Sequence, residues 1–278
     1  AAIALVPDEA WVLAERGGVH REAGRLDEAV ADFTAALDVV PDYVWALAQR
    51  GEAHREAGRF DEAVADLTAA LDLRPDSDFA LAQRGEAHRE AGRFDEAVAD
   101  FTAALDLRPD YAWALASRGQ AHREAGRFDE AVADLTAGLN LRPDYAWALA
   151  QRGEAHREAG RFDEAVADFT AALDLRPDYA WALASRGQAH REAGRFDEAV
   201  ADLTAGLNLR PDYAWALAER GQVHREAGRF DEAVADFTAA LDLRPDYTWA
   251  QMQRGEAHRA AGRIDQANAD FAAAQHDR

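Results

Sequence analysis

The chain contains no cysteine, which excludes a disulfide framework, a thiol nucleophile and a cysteine-based metal site. It also contains no lysine, so all 31 basic residues are arginine. No apolar run approaches the length that a transmembrane helix needs, and no signal peptide is visible at the start. These absences predict a soluble cytoplasmic protein.

Positive charge is also scarce, since the formal net charge of the 278 residues is −21. A protein that follows the phosphate backbone of a nucleic acid needs a basic surface. An acidic chain is equally unsuited to an anionic membrane surface. We therefore expect neither a nucleic acid nor a membrane as a partner.

The chain consists almost entirely of one repeated segment. Residues 109–142 recur letter for letter at 177–210, and looser copies follow one another in steps of 34 residues without insertion. The eight copies begin at Pro7, Pro41, Pro75, Pro109, Pro143, Pro177, Pro211 and Pro245. A fixed period of this length is typical of a solenoid, whose units bury their apolar faces only against their neighbours. We predict a single domain, residues 1–278, made of eight units.

The two ends of the chain differ from the internal copies. Residues 1–6 align with residues 35–40, which close a repeat, and are predicted to be the end of a truncated preceding helix. The last copy carries polar replacements at Gln266, Asn268, Gln275 and His276, and a solenoid needs a polar terminal unit for solubility. We interpret the C-terminus as a true end and the N-terminus as an excision or a processing product.

Each repeat has the pattern of two helices. In the copy that starts at Pro41, one helical face carries Leu47, Gly51, His54 and Ala57 at three- and four-residue spacing. A glycine inside a helix costs roughly 1 kcal/mol relative to alanine. Because eight copies keep this glycine, we expect the partner helix to approach it closely.

The second helix and the turns follow from the rest of the same copy. A second helical stripe is formed by Phe60, Ala63, Val64, Leu67, Ala70 and Leu71. Gly58 suits a left-handed cap between the helices, and Asp61 and Glu62 place negative charge at the start of the second helix. Pro41 is expected to end the preceding helix and Asp42 to cap the next one.

These features resemble the tetratricopeptide repeat family over nearly the whole chain. The matching residues are Gly51, Ala63, Leu67, Ala70 and Pro75; the family's usual first-helix Trp, Leu and Tyr are replaced by Leu47, Arg50 and His54. The resemblance implies an all-α, right-handed superhelical solenoid of antiparallel helical hairpins. It also implies a non-catalytic scaffold or sensor array that binds protein or peptide in a concave groove lined by the first helices. In bacteria, such arrays are often the recognition part of larger signalling proteins.

Arg50 and Asp66 recur in all eight repeats and face inward in the predicted register. We predict a planar, hydrogen-bonded ion pair within each repeat. A ligand site built from the same residues is the alternative.

The predicted partner-binding groove combines aromatic residues with arginine, a combination that is common at binding hot spots. Carried over from the family, its residues are Tyr43, Trp45, Gln49, Glu52, Arg55, Tyr111, Trp113, Arg123, Tyr145, Trp147, Arg157, Tyr179, Trp181, Arg191, Tyr213, Trp215 and Arg225. The alternative is that the tryptophans pack across the seam between repeats, and both roles can hold for different atoms of one ring.

Catalytic and metal sites are not expected, and neither is a cofactor. The histidines recur every 34 residues on successive helices about 10 Å apart, too far for one ion to bridge. Paired acids such as Asp61 and Glu62 recur at every second-helix start, where helix capping explains them.

The partner is expected to be a neutral or basic protein or peptide with apolar side chains. The family's clamp for acidic C-terminal tails uses Lys and Asn, and the matching positions here hold Ala48 and Glu52. A structural, self-assembling spacer is the alternative function. We expect a monomer in dilute solution, with end-to-end association at high concentration and salt.

Overall fold

The structure is a computed structural model that describes residues 6–276, with side chains described for residues 9–275. Two compact units divide the chain, residues 1–143 and residues 144–278. Within the described residues every regular element is an α-helix, which confirms the predicted all-α class.

The described part of each unit contains eight helices. In the first unit they are α1 (Val6–Glu22), α2 (Leu26–Val39), α3 (Val44–Glu56), α4 (Phe60–Leu73), α5 (Asp78–Glu90), α6 (Phe94–Leu107), α7 (Ala112–Glu124) and α8 (Phe128–Leu141). In the second they are α9 (Ala146–Glu158), α10 (Phe162–Leu175), α11 (Ala180–Glu192), α12 (Phe196–Leu209), α13 (Ala214–Glu226), α14 (Phe230–Leu243), α15 (Thr248–Ala260) and α16 (Ile264–His276). Each odd-numbered helix packs on the even-numbered helix that follows it, as expected for a helical hairpin.

The turn within each hairpin depends on a glycine. Gly58 has a φ of 73°, in the left-handed region that glycine adopts without steric cost. Its N–H donates to the Arg55 carbonyl at 2.9 Å, and the Arg59 N–H donates to the His54 carbonyl at 2.8 Å. These two bonds form a Schellman motif and confirm the predicted cap.

The start of the first helix differs from the prediction. The residue at the N-cap of α3 is Tyr43, and it makes no side-chain capping bond, so the expectation that Asp42 caps this helix is wrong. In the third repeat the corresponding residue is Ser77, whose hydroxyl accepts from the Ala80 N–H at 3.2 Å. Pro41 lies beyond the end of α2, as expected. The predicted end of a truncated helix, residues 1–6, lies outside the described residues except for Val6, which is helical.

The core of each hairpin is built around a close approach of the two helices. A Cβ atom added to Gly51 would lie 2.8 Å from Leu67 Cγ, closer than real Cβ atoms approach. Gly153 faces Phe169 in the same way, with 3.1 Å from the added Cβ to Cε1. The side chains of Leu67 and Phe169 are fully buried. The predicted close approach at the helical glycine is therefore confirmed.

The predicted ion pair within each repeat is also confirmed. Arg50 donates from Nε to Asp66 Oδ2 at 2.8 Å and from Nη2 to Oδ1 at 2.6 Å, a bidentate geometry. Its remaining terminal nitrogen donates to Thr34 Oγ1 of the preceding repeat at 3.1 Å. The sequence analysis missed this threonine, although it recurs at the same position in every later copy but the eighth, which has Ala272. One arginine thus links both helices of its own hairpin to the preceding one.

We expect Arg220→Ala to destabilise the second unit, because it removes charged hydrogen bonds to Asp236 and to Thr204. Hydrogen bonds to a charged group are lost and the buried Asp236 carboxylate is left without its partner, so the free energy of unfolding should fall by roughly 1.5–3 kcal/mol. The measurement is urea denaturation followed by circular dichroism.

The matched control is Arg16→Ala, because the Arg16 side chain is 59% exposed and that of Arg220 only 21%. The control should lower the free energy of unfolding less than Arg220→Ala does. Equal effects from the two substitutions would show that burial of the pair contributes nothing.

Candidate partner-binding surface

The predicted groove residues lie on the first helix of each repeat and at its N-cap. We call this set, from the N-cap Tyr to the last-turn Arg, the first-helix surface, and describe it separately for each unit. Half-buried members are Tyr43, Gln49, Arg55, Tyr111, Trp113, Arg123, Tyr145, Trp147, Arg157, Tyr179, Trp181, Arg191, Tyr213, Trp215 and Arg225. Trp45 is 39% exposed, whereas Glu52 is only 6% exposed.

The tryptophans pack across the seam between repeats and still keep part of the ring exposed. Trp45 meets Phe33 of the preceding repeat edge-to-face, with ring centroids 6.1 Å apart, and lies 5.9 Å from Tyr43 of its own repeat. Trp181 makes the same contacts in the second unit, 6.2 Å from Phe169. The packing alternative is therefore confirmed for these rings. The exposed part of each ring stays a predicted contact for a partner.

The tyrosines are enclosed by residues of their own repeat boundary. The Arg108 guanidinium lies 3.4 Å from the centre of the Tyr111 ring, and the centre of the Trp113 ring lies 5.7 Å from it. In the second unit Arg210 covers Tyr213 at 3.4 Å. Burial raises the pKa of Tyr111 above its usual value, although Arg108 opposes the shift. The sequence analysis missed this arginine, whose signal was its position directly after the second helix in the second to seventh copies, whereas the first copy has Val40.

The arginines of the first-helix surface are paired with the following repeat. Arg55 donates to Glu90 at 3.0 Å in the first unit, and Arg157 donates to Glu192 at 3.0 Å in the second. Because the acceptor lies 35 residues further along the chain, these pairs join successive first helices. The arginines therefore stabilise the stack, and a partner reaches their charge only in competition with a glutamate.

A second set of glutamates also bonds the arginines that pair with the next repeat. Arg89 bonds Glu86 at 2.6 Å in its own helix and Glu124 at 3.0 Å in the next repeat. Burial works against its charge, but the hydrogen bond to Glu86 and the attraction of both glutamates outweigh burial and raise the pKa of Arg89. Glu52 sits in the corresponding position of the second repeat, 2.9 Å from Arg21. Burial raises the pKa of Glu52, and the nearby Arg21 opposes the shift.

The series of arginine–glutamate pairs between successive first helices lacks a glutamate in the eighth repeat. Arg225 makes a 3.3 Å bond to Gln222, and Ala260 stands in the eighth repeat where other copies place the accepting glutamate. Among the described arginines of the predicted groove, Arg225 thus bonds an amide, whereas Arg157 and Arg191 bond a glutamate of the next repeat.

The histidines lie behind the surface, next to the ion pairs. His54 Nε2 is 3.8 Å from Asp66 Oδ2, and Arg59 donates from Nε to His54 Nδ1 at 3.0 Å. An acceptor at Nδ1 requires the neutral imidazole. Among the described side chains, no group of three or more His, Asp or Glu residues is arranged to hold a metal ion.

Profiles of the tetratricopeptide repeat match residues 8–76, 78–144, 144–212, 214–247 and 248–269. The chain belongs to the tetratricopeptide repeat family. Members of this family are generally scaffolds for protein–protein interaction and are typically non-catalytic. No curated protein sequence gives a significant match. In the described part of this tetratricopeptide repeat chain, no helix is both long and apolar enough to span a bilayer.

Solved structures show the same fold. A tetratricopeptide repeat protein from Parabacteroides merdae ATCC 43184 has 20% identity and a TM-score of 0.73, over 90% of this chain and 99% of its own. A chain of the APC/C Cut9–Hcn1 hetero-tetramer has 18% identity and a TM-score of 0.72, and the match covers 87% of this chain and 48% of that one. YrrB, a tetratricopeptide repeat protein with an unusual peptide-binding site, has 20% identity and a TM-score of 0.53, and the match covers 66% of this chain and 95% of that one.

We expect the fold to lose stability as the pH falls through 6.5. Burial is the main cause that lowers the pKa of seven histidines below their ordinary value of 6.5: His54, His88, His122, His156, His190, His224 and His258. Above 6.5 both states are neutral and the histidines contribute nothing. Below it the unfolded chain binds more protons than the folded one, so stability decreases with falling pH.

The measurement is the urea midpoint of unfolding at several pH values on both sides of 6.5, with histidine titration by NMR. The raised pKa of Glu52 and Glu219 acts in the opposite direction as the pH falls, but these are two groups against seven. A midpoint that rises as the pH drops below 6.5, or histidines that titrate above 6.5, would contradict the assignment.

Proposed function

We propose that this chain is a non-catalytic scaffold that binds a peptide segment of a protein partner along the first-helix surface. The observation that carries the proposal is the dual position of the tryptophans. Each ring is anchored at the repeat seam, so it loses little conformational freedom on binding, and Trp45 still leaves 39% of its surface exposed. Rigid, partly exposed Trp rings are typical binding anchors.

The charge of the surface favours a neutral or basic partner. The net charge is −21, and arginines of the first-helix surface such as Arg55 and Arg157 are paired with glutamates of the next repeat, Arg225 being the exception. An acidic peptide would have to displace those glutamates and overcome the negative field of the whole chain. A basic or neutral peptide with bulky apolar side chains meets neither obstacle. The similarity to YrrB, described as having an unusual peptide-binding site, is consistent with peptide binding.

The test is selection of peptides from a displayed random library on the full chain, followed by calorimetry of the enriched sequences. We expect peptides of zero or positive net charge with at least one large apolar side chain. Trp45→Phe should weaken their binding about five-fold, since a loss near 1 kcal/mol corresponds to that factor. Phe79 occupies this position in the third repeat, so the substitution is compatible with the fold.

The control for that test is Leu73→Ser, because Leu73 is also an exposed large apolar residue but lies at the end of α4, away from the first-helix surface. It should leave the affinity unchanged. Enrichment of acidic peptides, or micromolar binding of an acidic C-terminal tail, would overturn the proposed partner class.

A second candidate function is end-to-end self-association, favoured by an apolar face on α1. Trp11, Val12 and Val19 are each more than half exposed there, and they belong to a first helix with no described helix packed in front of it. We propose that this face contacts another copy at high concentration, while the net charge of −21 opposes the contact at low salt.

Light scattering over a range of protein and salt concentrations checks this second function. The expected result is a monomer in dilute, low-salt buffer and a mass that rises with salt and concentration. Val19→Asp should abolish the rise, whereas Leu141→Asp, at an exposed leucine at the end of α8, should not. A compact dimer that is insensitive to salt would rule out this mode of association.

A further inference from the structure

The third repeat departs from its neighbours at the start of its first helix. Ser77 stands where six other copies have Tyr, and Phe79 stands where the other copies have Trp. A pocket of about 470 Å³ opens at this point, between the first helices of the second and third repeats. Its walls include Tyr43, Trp45, Ala48, Arg74, Ser77 and Phe79.

The next repeat shows what fills the equivalent place elsewhere. There the Tyr111 ring lies beneath the Arg108 guanidinium at 3.4 Å and against the Trp113 ring at 5.7 Å. The same arrangement recurs in the second unit, where Arg176 covers Tyr179 at 3.5 Å. In the third repeat, Arg74 and Phe79 hold the positions of Arg108 and Trp113. The ring between them is missing.

Arg74 also lacks the carboxylate partner that Arg108 has. Arg108 forms an ion pair with Asp78 at 2.9 Å, whereas the residue that corresponds to Asp78 beside Arg74 is Val44. Arg74 is exposed and makes no side-chain hydrogen bond or ion pair with a described residue. The Ser77 hydroxyl does not replace the ring, because it accepts from the Ala80 N–H at 3.2 Å. The pocket is thus lined by the unpaired Arg74 guanidinium and by two aromatic side chains that are more than a third exposed, Trp45 and Phe79.

We propose that this pocket binds an aromatic side chain, tyrosine or phenylalanine, of a partner peptide. The incoming ring takes the place that Tyr111 occupies in the fourth repeat: its face meets the Arg74 guanidinium, and its edge or face packs on Phe79 and Trp45. The identity of the ring's carrier as a protein segment rests on the proposed function. The preference of the pocket for an aromatic ring over an aliphatic side chain rests on the comparison between repeats alone.

The experiment measures binding of N-acetyl-tyrosine amide and N-acetyl-leucine amide to the full chain by ligand-observed NMR. The tyrosine amide is expected to bind at least five-fold more tightly than the leucine amide. Ser77→Tyr supplies the missing ring from the chain itself, as six other repeats do, and should reduce binding of the tyrosine amide at least ten-fold. We expect this variant to fold, because six other repeats carry tyrosine at the same position, and circular dichroism checks the fold.

Two further variants make the test specific. Ser77→Ala keeps the pocket open and should bind like the original chain, which separates loss of space from loss of the hydroxyl. Tyr179→Ser removes the ring beneath Arg176 and should open a second pocket, so that two tyrosine amides bind per chain. Equal binding of the two amides, or unchanged binding by the Ser77→Tyr variant, would overturn the proposal.

The outcomes also separate this inference from the proposed function. If the library yields no peptide but the tyrosine amide binds the original chain and not the Ser77→Tyr variant, the pocket stands and the peptide surface does not. If enriched aromatic peptides bind both chains equally, the peptide surface stands and the pocket assignment is wrong.

Discussion

The close contact between a first-helix glycine and the large apolar residue of the second helix is the constraint on which the remaining structure depends. At Gly51 the missing side chain allows Leu67 to approach the backbone of α3, and any Cβ there would collide with it. The glycine is unfavourable for an isolated helix, but the gain is a fully buried ring or leucine in each of the first seven hairpins. With that spacing set, Arg50 can reach Asp66 across the hairpin.

Arginine is the residue that joins one hairpin to the next. Arg50 reaches back to Thr34, Arg55 reaches forward to Glu90, and Arg59 reaches back to Asp27, so three arginines of one repeat contact its two neighbours. Each of these bonds pairs a guanidinium with an oxygen acceptor at 2.6–3.1 Å. A chain with 31 arginines and no lysine fits this use, because the guanidinium can donate in several directions at once. These arginines are thereby paired within the fold, and the net charge of the chain remains −21.

Near-identity of the repeats makes the exceptions informative. Arg108, Tyr111 and Trp113 form a stack that other repeats reproduce, so the loss of the tyrosine at Ser77 exposes a place whose shape and electrostatics are already known from the fourth repeat. In the same way, Ala260 ends the series of glutamates that accept from the preceding arginine. Such departures are where a repeat protein can acquire a function that its regular copies do not have.

The sequence by itself determined the helical class, the repeat boundaries, the capping glycines and the pairing of Arg50 with Asp66, because all of these follow from periodicity within 34 residues. It did not determine which oxygen each remaining arginine reaches, since Thr34, Glu90 and Asp27 lie in other repeats and their distances depend on how hairpins stack. The same holds for Trp45, whose division between seam and surface is set by the position of Phe33 in the preceding repeat. It holds for Glu52 as well. The helical register predicted that Glu52 faces the groove, but the packing of α1 on α3 buries it against Arg21. A pattern in one chain segment fixes the direction of a side chain on its helix; whether that side chain is covered is decided by the neighbour it meets in three dimensions.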